Sequence, residues 1–155
     1  MTSPLTAPVG GDALAARRSA AAERLSGAAL PATDEEVWRY SRVGDLDLTR
    51  WGAPAVIDSL PPAVDALLSS LGHLAGAVVV HDGTVVARRL DERFAAAGVY
   101  VGPVAEHPEG VDALGSVIGD GPDVFTARND ALGAAPLLVH VPRSVVVDAP
   151  IMIVD

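Results

Sequence analysis

The sequence contains no cysteine, no lysine and no glutamine, a single asparagine (Asn129), and only two each of Trp, Tyr and Phe. Without thiolates it can form no disulfide and can offer no sulfur ligand to zinc or to an iron–sulfur cluster. The apolar half of the chain is carried by Ala, Val and Leu rather than by rings, which predicts a core of small, closely spaced side chains. All eleven basic residues are Arg, against a formal net charge of −9, and no basic cluster is longer than the pairs at 17–18 and 88–89. Phosphate backbones need a basic stripe, so nucleic acid is not expected as a partner. The Arg-for-Lys bias is that of a GC-rich coding sequence, and it makes alanine content weak ground for helix.

Long hydrophobic runs are also missing. Apolar stretches such as residues 74–80 fall far short of the roughly 20 residues that span a bilayer. Arg17 and Arg18 suggest a twin-arginine export signal, but Glu23 and Arg24 interrupt the apolar region such a signal needs. The expectation is a soluble, cytoplasmic protein with no membrane partner. At 155 residues there is room for one domain, or one domain and a fragment of another.

Residues 1–11 hold Pro, Gly, Ser and Thr without periodicity and read as a disordered tail. DALAARRSAAAERL from Asp12 predicts a helix capped by Asp12 and closed by Gly27 and Pro31, with a narrow apolar face of Leu14, Ala21 and Leu25. Thr33 or Asp34, followed by Glu35 and Glu36, predicts a second helix start. Trp38, Arg39 and Tyr40 then form a packing anchor, with indole and phenol half buried and Arg39 beside a carboxylate. SLPPAVDALLSSLG (residues 59–72) is the clearest helix, with Val64, Leu67, Leu68 and Leu71 on one face and Gly72 at its end. AVVVHDGTVVAR (residues 77–88) is a hairpin turning at Asp82 and Gly83, a type I′ pair.

Residues 98–104 predict a short third strand, residues 111–118 a weak helix, and PDVFTARNDAL (residues 122–132) a compact helix with Pro122 in its first turn. The chain finishes with three apolar runs, LLVHVPRSVVVDAPIMIVD (residues 137–155), in which Pro142 and Pro150 recur without hairpin turns. Short strands with bends at such spacing suit one turn of a β-solenoid.

Catalytic constellations are sparse. His73, His81, His107 and His140 fall in none of the metal-binding spacings, and each reads as a surface or loop residue. GSVIGDGP (residues 115–122) lacks the Lys and Ser or Thr of a phosphate-binding loop, and neither Ser116 nor Ser144 sits in G-x-S-x-G. No nucleophile and base can be paired for a hydrolase, and no catalytic, cofactor-binding or metal-ligating residue is expected.

Three stretches, in order, resemble signatures of the SufB/SufD family of iron–sulfur cluster assembly proteins, closest to SufD. LPATDEEVWRYS (residues 30–41) is similar to the family's Leu-Pro and acidic-x-Trp-Arg-aromatic-Thr/Ser pattern through Trp38, Arg39 and Tyr40. DVFTARNDA (residues 123–131) resembles D-x-F-x-A-L-N-x-A through Asp123, Phe125 and Asn129, with Arg128 where Leu is usual. VPRSV with the later Pro150 and Ile151 resembles V-P-x-G-V followed by P-I, with Pro142 in place and Ser144 where Gly is common.

The resemblance implies an α+β fold: N-terminal helices and a small sheet region (residues 12–133) that leads into the first strands of a right-handed parallel β-helix (residues 134–155), incomplete here. It implies a non-catalytic scaffold subunit that binds no cofactor through these residues. Its partners would be a SufB-like subunit and a SufC-like ATPase, engaged mainly through regions beyond residue 155, and the iron–sulfur cluster is assembled by the complex. The alternative reading is a self-contained acidic α/β interaction or regulatory domain whose last strands pair within its own sheet.

Overall fold

The structure, a computed structural model, describes residues 12–50, 59–119, 121, 123–133 and 135–155, with the side chains of residues 12, 13 and 49 outside that description. The tail expected over residues 1–11, the cap expected from Asp12 and the placement of Pro122 therefore lie outside the described residues. The chain is α+β and divides into two units. The described part of one comes from residues 59–112 and 135–155, that of the other from residues 12–50 and 113–133.

The second unit is built on α1 (Asp12–Ser26) and α5 (Val124–Leu132), which pack against each other. Leu14 and Ala21 are buried on α1, as are Val124 and Ala127 on α5. Small residues at this seam bring the backbones close, and charge is satisfied at its margin: Arg17 Nη2 meets Asp130 Oδ2 at 2.7 Å and donates to the carbonyl of Gly119 at 3.2 Å.

The helix expected from Thr33 or Asp34 does not form. Residues 32–41 instead make three successive turns in which Glu35 N donates to Ala32 O, Trp38 N to Glu35 O and Ser41 N to Trp38 O. Glu35 Oε1 accepts from Ala32 N at 2.8 Å and Ser41 Oγ donates to Trp38 O at 2.8 Å. These local bonds satisfy the groups a helix would use, and little apolar surface is buried in return, since Val37 is 86% exposed. Short helices rely on burying one face. Val43, in the 3-10 turn Val43–Asp45, is buried.

In the first unit, α2 (Pro62–Ser70) is followed by β1 (Gly76–His81) and β2 (Thr84–Leu90), an antiparallel hairpin. Asp82 and Gly83 both have positive φ, 47° and 77°, as a type I′ turn demands of its two central residues. Next come α3 (Glu92–Ala96), capped by Asp91, and β3 (Tyr100–Pro103). A 3-10 turn (Val104–Glu106) leads into α4 (Pro108–Ala113), which begins three residues before the weak helix expected at 111, with Pro108 in its first position.

Two of the three terminal runs become strands. β4 (Leu137–His140) pairs antiparallel with β3, and β5 (Ile151–Val154) pairs parallel with β1, giving sheets of order β2-β1-β5 and β3-β4. The middle run forms no ladder but still alternates: Val145, Val147 and Ala149 pack on Phe94, Ala75 and Val99, while Val146 is exposed and Asp148 pairs with Arg93 at 2.6 Å.

β1 is apolar on both faces because both are covered. Ala77 and Val79 pack with Leu68 of α2, whereas Val78 packs with Val101 of β3 and Leu137 of β4. A central strand so enclosed needs a continuous apolar run rather than alternation. The predicted small-residue core is observed, with Phe94 the one aromatic among the buried residues described. Leu67 and Leu71 of the expected apolar stripe remain partly exposed, so Val64 and Leu68 carry the packing of α2.

Candidate functional site

The residues singled out by sequence fall in two places. In the second unit Trp38 reaches Phe125, with ring centroids 5.4 Å apart and planes tilted by 45°. Asp123 caps α5: its Oδ1 accepts from the backbone N of Thr126 at 2.9 Å and from the Thr126 hydroxyl at 3.0 Å. The backbone hydrogen bond from Thr126 holds the Asp123 carboxyl below its ordinary pKa, against desolvation, which acts the other way. Asn129 is exposed, and its backbone carbonyl accepts from Gly133 N.

The anchor expected from Trp38, Arg39 and Tyr40 is reduced to its indole. Tyr40 is 94% exposed, Arg39 is exposed, and among the described residues no carboxylate lies within ion-pairing distance of Arg39. The successive turns aim Trp38 inward and its neighbours out.

In the first unit Pro142 packs against Gly98 and opens a turn in which its carbonyl accepts from Val145 N at 3.1 Å. Ser144, the third residue of that turn, has φ of 67°, the left-handed conformation that glycine adopts most readily. Pro150 is exposed, and its carbonyl accepts from Ala75 N at 2.8 Å just before β5.

A second cluster was not legible as a motif. Arg88 of β2, Tyr100 of β3, Glu106, His107 and His140 of β4 converge in the first unit. Tyr100 and His140 are paired across β3 and β4, so their side chains emerge on the same face. His107 sits against both, 4.9 Å from the Tyr100 ring and 4.8 Å from the His140 ring, centroid to centroid. Arg88 donates to the Tyr100 hydroxyl at 2.9 Å and to Glu106 Oε2 at 2.5 Å, and the hydroxyl donates to the carbonyl of Pro103 at 2.7 Å. A methyl group on Gly102 would collide with the guanidinium, so Arg88 can lie here only because residue 102 has no side chain.

Burial raises the Tyr100 pKa, against the opposing pull of Arg88. Burial acts to lower that of Arg88, but the hydrogen bonds to Glu106 and Tyr100 outweigh it and raise it overall. Both groups therefore hold their ordinary protonation states across the neutral range. The phenol is committed as donor and acceptor at once, which makes it a structural tie between β2, β3 and the Glu106 turn. His107 and His140, read in sequence as separate surface residues, meet because β3 and β4 pair; placing the 98–104 strand beside the 137–140 strand is the step that would have joined them.

Among the described residues no group of three or more His, Cys, Asp or Glu is arranged to hold a metal ion, and no helix is long and apolar enough to cross a membrane. No family model matches the chain, and no match was found to a curated protein or to a solved structure.

Proposed function

We propose that the chain is the N-terminal part of a SufD-like scaffold subunit, non-catalytic by itself, acting in the cytoplasm within a complex that assembles iron–sulfur clusters. Its partners in this reading are a SufB-like subunit and a SufC-like ATPase, bound mainly through regions beyond residue 155, and the cluster is the product of the complex rather than a group held by these residues. Residues 134–155 are then the first strands of a right-handed parallel β-helix.

The observation that carries this reading is the backbone at Ser144. The resemblance sets Ser144 at a position where Gly is common, and φ there is 67°, the conformation for which glycine is the default residue. The Trp38–Phe125 contact adds support, because two of the three resembling stretches meet in space. Co-purification tests it: the full-length parent, expressed with the SufB-like and SufC-like subunits of the same organism, should recover both, and failure to bind either overturns the proposal.

The pairing of β4 with β3 and of β5 with β1 favours a second reading, a self-contained acidic α/β interaction domain. Such a domain melts cooperatively and stays monomeric. A solenoid interrupted after its first strands leaves an open strand edge that frays or associates.

A further inference from the structure

The bifurcated hydrogen bond at Gly110 points to a function for the histidine pair. Gly110 N donates both to the His107 carbonyl, at 2.9 Å, and to the His107 ring nitrogen Nδ1, at 3.1 Å. An accepting Nδ1 carries no proton, so it is the one ring position open to a further proton. Protonation there would turn one N–H against another. The ring would have to rotate, yet it is stacked on both Tyr100 and His140.

Gly110 is itself buried, and a methyl group on it would overlap Leu138 of β4 and lie 3.1 Å from Val104 Cγ2. The imidazole of His107 thus fastens the first turn of α4 to the β3–β4 sheet. We propose that protonation of His107 opens this latch, freeing α4 from the sheet on acidification.

The charges around His107 allow this. Tyr100 faces it from β3 as a neutral phenol, and His140 faces it from β4, so that a proton on both rings would set two like charges in contact. The neighbouring carboxylate, Glu106, is occupied by Arg88 from β2, while Glu109 and Asp112 on α4 itself are exposed. The sign follows from proton counting: the closed latch uses the lone pair that a proton would take, so the open form binds more protons and acid favours it.

Amide hydrogen exchange of the full chain between pH 7.5 and 5, corrected for intrinsic rates, tests the proposal. Both Gly110 N and Val111 N are bonded to His107 O, and their protection should fall by up to about tenfold per pH unit for one linked proton, while β1 stays protected. His107→Asn keeps an oxygen near the Nδ1 position that cannot titrate, and it should abolish the pH dependence while leaving the protection itself. His140→Gln should retain the transition. A pH profile unchanged in His107→Asn, flat protection in the unmodified chain, or simultaneous loss of protection in β1 would each overturn the latch.

Discussion

Arg88 and Glu106 meet at 2.5 Å across the approach of β2 to the turn after β3, and the Arg88 guanidinium reaches its partner by lying over the bare backbone of Gly102. The glycine and the ion pair are therefore one arrangement. Gly102→Ala should lower the unfolding midpoint in urea by the equivalent of about 1–3 kcal/mol, as overpacking does. Since the pair is partly exposed, Arg88→Ala alone should cost about 1 kcal/mol or less. The double variant should be more stable than the sum of the single effects, because the collision goes with the guanidinium; strict additivity would refute the contact.

The Trp38–Phe125 contact should register as coupling. In a double-mutant cycle with Leu at each position, the interaction between the two rings should come to about 0.5–1.5 kcal/mol beyond burial alone. Zero coupling in equilibrium unfolding would mean that the rings do not meet in solution.

Asp123 should make the second unit sensitive to acid. Its carboxyl is held below its ordinary pKa by the Thr126 backbone N–H, so its contribution is complete above the ordinary carboxylate range and is lost as pH falls through the lowered folded value. Asp123→Asn preserves a cap but removes that titration. Helix content followed by circular dichroism should fall less steeply with acid in the Asn variant, and Asp123→Ala should shorten α5 at neutral pH.

Ser144 should be improvable. A side chain at a left-handed φ is strained by roughly 1–2 kcal/mol, part of which glycine gives back through the entropy of its unfolded chain. Ser144→Gly should raise the melting temperature slightly, with a gain of about 1 kcal/mol or less, and Ser144→Val should lower it. Equal melting temperatures for all three would contradict the turn.

The elements legible in the sequence are those whose cause is local. Asp82 and Gly83 specify a turn by themselves, Asp123 caps the helix that follows it, and Gly72, with φ of 72°, stops α2 where the apolar pattern ends. Residues 32–41 misled because Asp34, Glu35 and Glu36 carry a helix-start pattern, whereas Glu35 spends its side chain on Ala32 N and, of the whole segment, only Trp38 turns inward, and it is only partly buried. The histidine cluster was hidden for the opposite reason: His107 and His140 are joined by a strand pairing that neither neighbourhood encodes. Pairing of β5 with β1 is equally non-local, and the proline spacing around it speaks of bends rather than of partners.

That last pairing also orders events in time. β1 is buried on both faces, yet its neighbour on one side, β5, is made from residues 151–154, which leave the ribosome long after the β1–β2 hairpin. Until they arrive, one edge of this doubly covered strand stays open. Long-range parallel pairing is slow to form because the loop between its strands must close first. Nascent chains paused before residue 151 should be the species most exposed to aggregation, and the natural clients of a chaperone.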